Sequence, residues 1–147
     1  MAAPLPARNQ QREKYIANSR WSSWTCDALT SDASFRRYFR LSKASESVLL
    51  MDAPPSSENL AAYIKIAEYL CSIGLSAPQV FDADLSTGFA VIEDFGEDTY
   101  TQLLNSGSDT HKLYELAVDA LKLLHQHQPP AEFKYRLLSR RLLPKRN

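Results

Sequence analysis

The chain has 147 residues, 44% of them hydrophobic and 23% charged, with a formal net charge of zero, so it has room for one domain or for one lobe and part of another. Two cysteines, Cys26 and Cys71, stand outside any CxxC pattern, which excludes a disulfide framework and a zinc site and suits a reducing compartment. No apolar run approaches the roughly 18 residues of a membrane span, and MAAPLPARNQQREKY has no signal-peptide core, so a cytoplasmic location without membrane contact is expected.

In chain order, residues 1–8 are small and proline-containing and are expected to be mobile. Residues 9–20 are helix-permissive, anchored by Tyr15 and Ile16. Trp21 and Trp24 offer large apolar surface to bury under the strands that follow. A short first strand is predicted over 26–30, with Ser31, Asp32, Ala33 and Ser34 as the turn of a hairpin. In the next strand Phe35, Arg37, Phe39 and Leu41 point one way and Arg36, Tyr38 and Arg40 the other. After Ser42–Ser47, the run Val48-Leu49-Leu50-Met51 is a third strand, stopped at Asp52-Ala53-Pro54-Pro55. Three arginines within five residues, directly after a turn rich in backbone donors, suggest an anion site, phosphate above all. An ordinary hairpin with solvated arginines fits the spacing equally well.

Ser56 or Ser57 caps a predicted helix whose stripe is Leu60, Tyr63, Ile64, Ala67, Leu70, Cys71 and Gly74. Gly74 ends it, and Glu58 and Glu68 are helix acids that could reach a neighbouring strand, although solvated helix charges are the plainer reading of both. Strands are predicted over 79–84 and 89–92, joined by the turn Ser86-Thr87-Gly88. The acidic connector Glu93-Asp94-Phe95-Gly96-Glu97-Asp98 follows, with Asp98 as cap of a short helix over 99–104. Asp109 caps a longer helix over 110–127, striped by Leu113, Leu116, Ala117, Ala120, Leu121 and Leu124 and stopped by Pro129-Pro130. His125 and His127, two apart, fall on different helix faces, which argues against a metal site.

Strand, turn, strand, strand, helix, strand, strand, acidic connector and helices is the order of a protein-kinase-like small lobe. SDASFRRYFRL, LLMDAPP and VIEDFGEDTYTQLL, in that order, resemble the aminoglycoside-phosphotransferase superfamily. Within it they most resemble the bacterial kinases that phosphorylate N-acetylmuramate and N-acetylglucosamine at the anomeric hydroxyl. The resemblance covers residues 29–124. It implies an α+β fold with a five-stranded antiparallel sheet and one inserted helix, and a parent activity of ATP-type phosphoryl transfer with magnesium to a small cell-wall amino sugar. It places Ser31, Asp32, Ala33 and Ser34 over the phosphates, with Arg36 and Arg37 nearby. Glu93, Asp94, Phe95 and Gly96 become the hinge that pairs with a purine edge, and Leu50, Ile92 and Phe95 cover the base. An antibiotic-modifying kinase is a weaker relative, because a polycationic acceptor needs an acidic pocket.

Two departures stand out. Met51 and Asp52 occupy the neighbourhood of the phosphate-pairing lysine of general kinases, so no lysine–glutamate pair carries over. Beyond Asp119 the chain has no aspartate, only Glu132, and its sole asparagine there is Asn147; neither the acceptor-orienting carboxylate nor the metal-binding Asp and Asn of the large lobe is found. Catalytic incompleteness is therefore expected. The organisation implied is a helical extension over 1–24, small lobe and hinge over 25–96, first large-lobe helices over 97–130 and a basic tail over 131–147. With 17 basic and 17 acidic groups overall, the tail's six basic residues leave 11 against 17 for residues 1–132. Such a tail fits a truncated or frame-shifted gene product, a fragment or a short natural protein; Leu137, Leu138, Leu142 and Leu143 within it favour an interrupted helix over a nucleic-acid patch. The alternative function is a non-catalytic module binding nucleotide or a partner. The apolar stripe over 110–127 is also a surface for non-specific dimers.

Overall fold

The computed structural model describes residues 5–30, 35–131 and 133. Its elements are α1 (Leu5–Ala17), β1 (Thr25–Ala28), β2 (Arg37–Lys43), β3 (Glu46–Asp52), α2 (Leu60–Ser72), β4 (Val80–Asp84), β5 (Phe89–Glu93), α3 (Tyr100–Asn105) and α4 (Thr110–Gln126). The five strands make one antiparallel sheet in the order β1-β2-β3-β5-β4. With α2 inserted between β3 and β4, this is the α+β small-lobe arrangement that the sequence predicts.

Strand register divides the sheet into two faces. Phe39 sits opposite Leu50 and Leu41 opposite Val48, while Leu50 in turn faces Val91. With Ile16, Trp21 and Phe89 these residues form a closed core under α1. The alternate residues, Met51, Ala90 and Ile92, join Ala53 and Leu60 in a second cluster on the α2 side. Around it Tyr38, Leu49, Tyr63, Ile64 and Val80 stay half-buried. Period-two alternation places successive side chains on opposite faces, so the two clusters interleave residue by residue along β3.

The N-terminal stretch departs from expectation. Residues 1–8 were expected to be mobile, yet α1 starts at Leu5 and Arg8 is buried at 6% exposure. An arginine is buried only with partners, and Arg8 has several: Nε donates to Asp52 Oδ1 at 2.7 Å and Nη1 to the Thr87 carbonyl at 2.6 Å. Its guanidinium also stacks 4.0 Å from the Phe89 ring centroid. Phe35, predicted in strand, precedes β2 and is 74% exposed, because β3 offers no partner beyond the Arg37–Asp52 pair.

Two caps also differ. Residues 55–57 form a turn in which the Ser57 and Glu58 N–H groups donate to the Pro54 carbonyl, so neither Ser56 nor Ser57 caps α2. Asn59 does, its side chain accepting from the Ala62 N–H at 2.9 Å. At α3 the cap is Thr99 in a capping box with Gln102, not Asp98. Asp109 caps α4 as predicted, accepting from the His111 and Lys112 N–H groups. The α2 C-terminus closes as predicted at Gly74, φ 85°, where Leu75 N donates to Leu70 O and Gly74 N to Cys71 O.

None of α4 is buried. Leu113, Ala117 and Leu124 of the predicted stripe are half-covered, whereas Leu116 and Leu121 remain exposed. Just past α4 the chain meets α2: Tyr69 OH donates to the Gln128 carbonyl at 3.4 Å and its ring lies edge-on to Phe133 at 5.4 Å. No helix among the described residues is long and apolar enough to cross a membrane.

Candidate functional site

On the α2 side of the sheet Tyr38, Arg40 and Leu49 stay half-buried. Antiparallel pairing lines up Tyr38, Met51 and Ala90 in one row across it, and Arg40, Leu49 and Ile92 in the next. Ile92 faces this side, within the α2-side cluster, at 2% exposure. Leu50 does not: it is fully buried in the α1-side core, on the opposite face from Ile92. The residue that shares a row with Ile92 is Leu49. An apolar run of four carries no internal sign of its parity, which is set by its partner strand.

One end of this face is cationic. Arg36 reaches from the start of β2 to the loop before α2, where Nε donates to Glu58 Oε2 at 2.7 Å. The guanidinium also lies 5.3 Å from the Tyr63 ring centroid, and the Glu58 hydrogen bond raises its already high pKa. A cleft of about 420 Å³ opens beside the pair, lined by Tyr63, Ile66, Leu70 and Pro78 among others. Glu58 is thus the helix-side acid that reaches a strand, while Glu68 is solvent-exposed. Ser31, Asp32, Ala33 and Ser34 lie outside the described residues.

No cation replaces the absent lysine on β3 itself. Met51 packs into the α2-side cluster and Asp52 turns the other way, fully buried between Arg8 and Arg37. The Arg37 Nη2 donates to Asp52 Oδ2 at 2.7 Å. Arg36 and Arg37, adjacent in sequence, therefore serve opposite faces of the sheet.

The other end is the acidic connector. Glu93 closes β5, its N–H donating to the Gln79 carbonyl at 2.8 Å and its carboxylate accepting from the Gln79 N–H. Phe95 is 55% exposed. Asp94 is nearly inaccessible at its side chain and is gripped by Arg40: Nε to Oδ2 at 2.7 Å and Nη2 to Oδ1 at 3.4 Å. Oδ1 also accepts the Gly96 N–H at 2.9 Å. Burial pushes the Asp94 pKa up, but Arg40, the Gly96 N–H and Ser47 together outweigh it and leave the carboxyl below its ordinary value. Arg40 Nη1 extends the contact to Glu97 at 2.8 Å.

Magnesium needs oxygen ligands that converge. Among the described residues no group of three or more His, Cys, Asp or Glu side chains does so, and Asp52, Glu58 and Asp94 are each committed to arginine. The described residues do not form a magnesium site. His125 and His127 each engage a backbone carbonyl one turn back at 2.8 Å.

Sequence reasoning singled out Arg36 and the connector, counted Arg40 only as one of three arginines of an anion site, whereas it pairs with Asp94 and Glu97, and assigned no role to Arg8. The signal for Arg40 was its place on the same face as Arg36 and Tyr38, in a sheet whose last strand runs into an acidic segment. For Arg8 there was none, since its partner lies 44 positions away.

Known proteins place this geometry in context. The chain is 41% identical over 92 residues to an N-acetylmuramate/N-acetylglucosamine kinase of Pseudomonas aeruginosa, an alignment covering 63% of this chain and 27% of that protein. Proteins of the same name from Caulobacter vibrioides and Pseudomonas putida are 33% and 35% identical over 136 and 116 residues. Those alignments cover 74% and 77% of this chain but 38% and 34% of the relatives, so the chain spans about a third of their length. The APH phosphotransferase enzyme family matches residues 25–147, the sheet and all that follows it. This chain therefore belongs to the phosphotransferase enzyme family.

Proposed function

We propose that this chain is the nucleotide-holding lobe of a kinase that transfers the γ-phosphoryl group of ATP to a cell-wall amino sugar of the N-acetylmuramate and N-acetylglucosamine class. The observation that carries the reading is the half-open α2 face, with apolar side chains between a cation at one end and exposed connector at the other. From the Asp52 row to the Val48 row is four residues, about 13 Å of strand. That span separates a base at Glu93, Asp94, Phe95 and Gly96 from phosphates at Arg36, and the resemblance alone assigns Ser31, Asp32, Ala33 and Ser34 to the phosphates. Leu49 and Ile92 floor the base, and Phe95 flanks it.

Phosphoryl transfer relies on position and charge neutralisation more than on covalent chemistry. In this reading Arg36, held by Glu58, faces the phosphates, and the connector fixes the base. Magnesium and the proton acceptor for the sugar hydroxyl are assigned to sequence equivalent to the part of the relatives that this chain does not match. The chain alone then binds nucleotide without turning over sugar. A cytoplasmic role in amino-sugar recycling goes with that assignment.

Calorimetric titration of the purified chain with ATP tests the reading. Saturable binding with Kd below about 1 mM is expected, weakening about tenfold in Arg36→Gln, with no phosphosugar formed from either amino sugar. Absence of nucleotide binding refutes the reading; phosphosugar formation refutes the inactivity. A second reading, a non-catalytic partner-binding module, draws on the exposed Tyr114, Leu116, Val118 and Leu121 of α4, and a concentration-dependent mass in sedimentation without ATP binding would support it.

A further inference from the structure

We infer that Arg40 is a positioning residue that latches the connector to the sheet and so sets the backbone that meets the nucleobase. The inference rests on the nucleotide-holding reading above. Arg40 stands on β2, two strands from β5, yet its guanidinium grips both Asp94 and Glu97. The Asp94 side chain is 2% exposed, whereas Glu97 is 72% exposed. Asp94 provides the buried anchor and Glu97 an outer tie.

The geometry passes from strand to connector without a gap. Asp94 Oδ1, which receives the longer Arg40 bond, also accepts the Gly96 N–H, which curls residues 94–96 into a local turn. A rigid strand is thereby coupled through one carboxylate to the backbone on either side of Phe95. A planar, forked guanidinium can do this where a lysine cannot, because it donates to two oxygens of one carboxylate and reaches a second acid as well. Arg40 shares a row with Leu49 and Ile92, so the latch flanks the apolar floor without contributing phosphate-facing charge. Its effect should fall on the base end of a nucleotide and spare the triphosphate end.

The test compares wild type, Arg40→Gln and Arg40→Lys for two probes, ATP and inorganic tripolyphosphate, alongside amide hydrogen exchange at Gly96. Arg40→Gln should weaken ATP about tenfold, leave tripolyphosphate binding unchanged and speed Gly96 exchange. Arg40→Lys should recover only part of the ATP affinity. If Arg40→Gln fails to fold, Asp94→Asn gives the same selective loss by a milder change. A parallel loss for both probes, or slow Gly96 exchange in Arg40→Gln, overturns the latch while the nucleotide reading stands. A wild-type chain that binds tripolyphosphate but not ATP, or neither, overturns both.

Discussion

The two faces of the sheet use the same strands for opposite ends. On the α1 side eight apolar residues close into a core with Tyr15 and Trp24 packed at its edge, and one ion pair is buried on both sides: Asp52 is fully buried and Arg8 nearly so, while the second partner, Arg37, stays 28% exposed. On the α2 side the cluster is smaller, its rim of Tyr38, Leu49, Tyr63 and Ile64 is half-open, and the ion pairs stay accessible on the arginine side. A buried pair is costly to break because the remaining charge has nowhere to go, whereas water compensates an accessible one. The difference suggests that stability resides on the α1 side, leaving the α2 side free to take a ligand.

Asp52→Asn should break that division most severely. It leaves Arg8 buried without its counter-charge, and a loss of about 3–5 kcal/mol is expected, read as a lower urea midpoint at unchanged slope. A loss no larger than that of Glu58→Gln would mean that the two faces do not differ. Next comes a pair of neighbours on one strand. Leu50→Ala should cost about 2–5 kcal/mol as a core cavity, and Leu49→Ala less, about 1 kcal/mol, since part of its surface was never removed from water. The ordering should invert for ATP affinity, which falls in Leu49→Ala alone. Equal stability losses in the two variants would contradict the assignment of faces. Smaller again is Asn59→Ala, which removes the α2 cap and should cost about 1 kcal/mol, with Asn59→Asp close to neutral.

How legible this was follows from the range of each interaction. Alternation through Arg37, Phe39 and Leu41 on one side and Tyr38 and Arg40 on the other is a local property, and it survives in the fold. Helix α4 and its Asp109 cap were legible for the same reason. The parity of Leu49 and Leu50 was not, because it depends on which residue of β2 lies opposite. The Asn59 cap was missed because Ser56 and Ser57 stand nearer the prolines, and a turn led by Pro54 consumes both. Arg8–Asp52 and Arg40–Asp94 join residues 44 and 54 positions apart, and nothing local marks either arginine as different from a solvated one.

The smallest effect lies at the end of β4, where a polar turn rather than packing holds the chain. Asp84 Oδ1 accepts from the Ser86 hydroxyl at 2.6 Å, the Ser86 N–H at 2.9 Å and the Thr87 N–H at 3.2 Å. The Ser86 hydroxyl above all, and Thr87 after it, lower the carboxyl from its ordinary 3.8 to about 2. A carboxylate depressed on folding stabilises the fold at every pH above its unfolded value and loses that contribution as the pH falls to the folded one. For Asp84 the window therefore runs from about pH 4 down to about pH 2. Asp84→Asn should be slightly less stable than wild type at pH 6 and should converge on it near pH 2, so that urea midpoints plotted against pH approach each other only in that window. Midpoints that stay parallel from pH 6 to pH 2 would show that the turn does not hold the carboxylate ionised. The effect should leave ATP affinity untouched, because β4 pairs with β5 at the Asp84–Phe89 position, far along the strand from the connector.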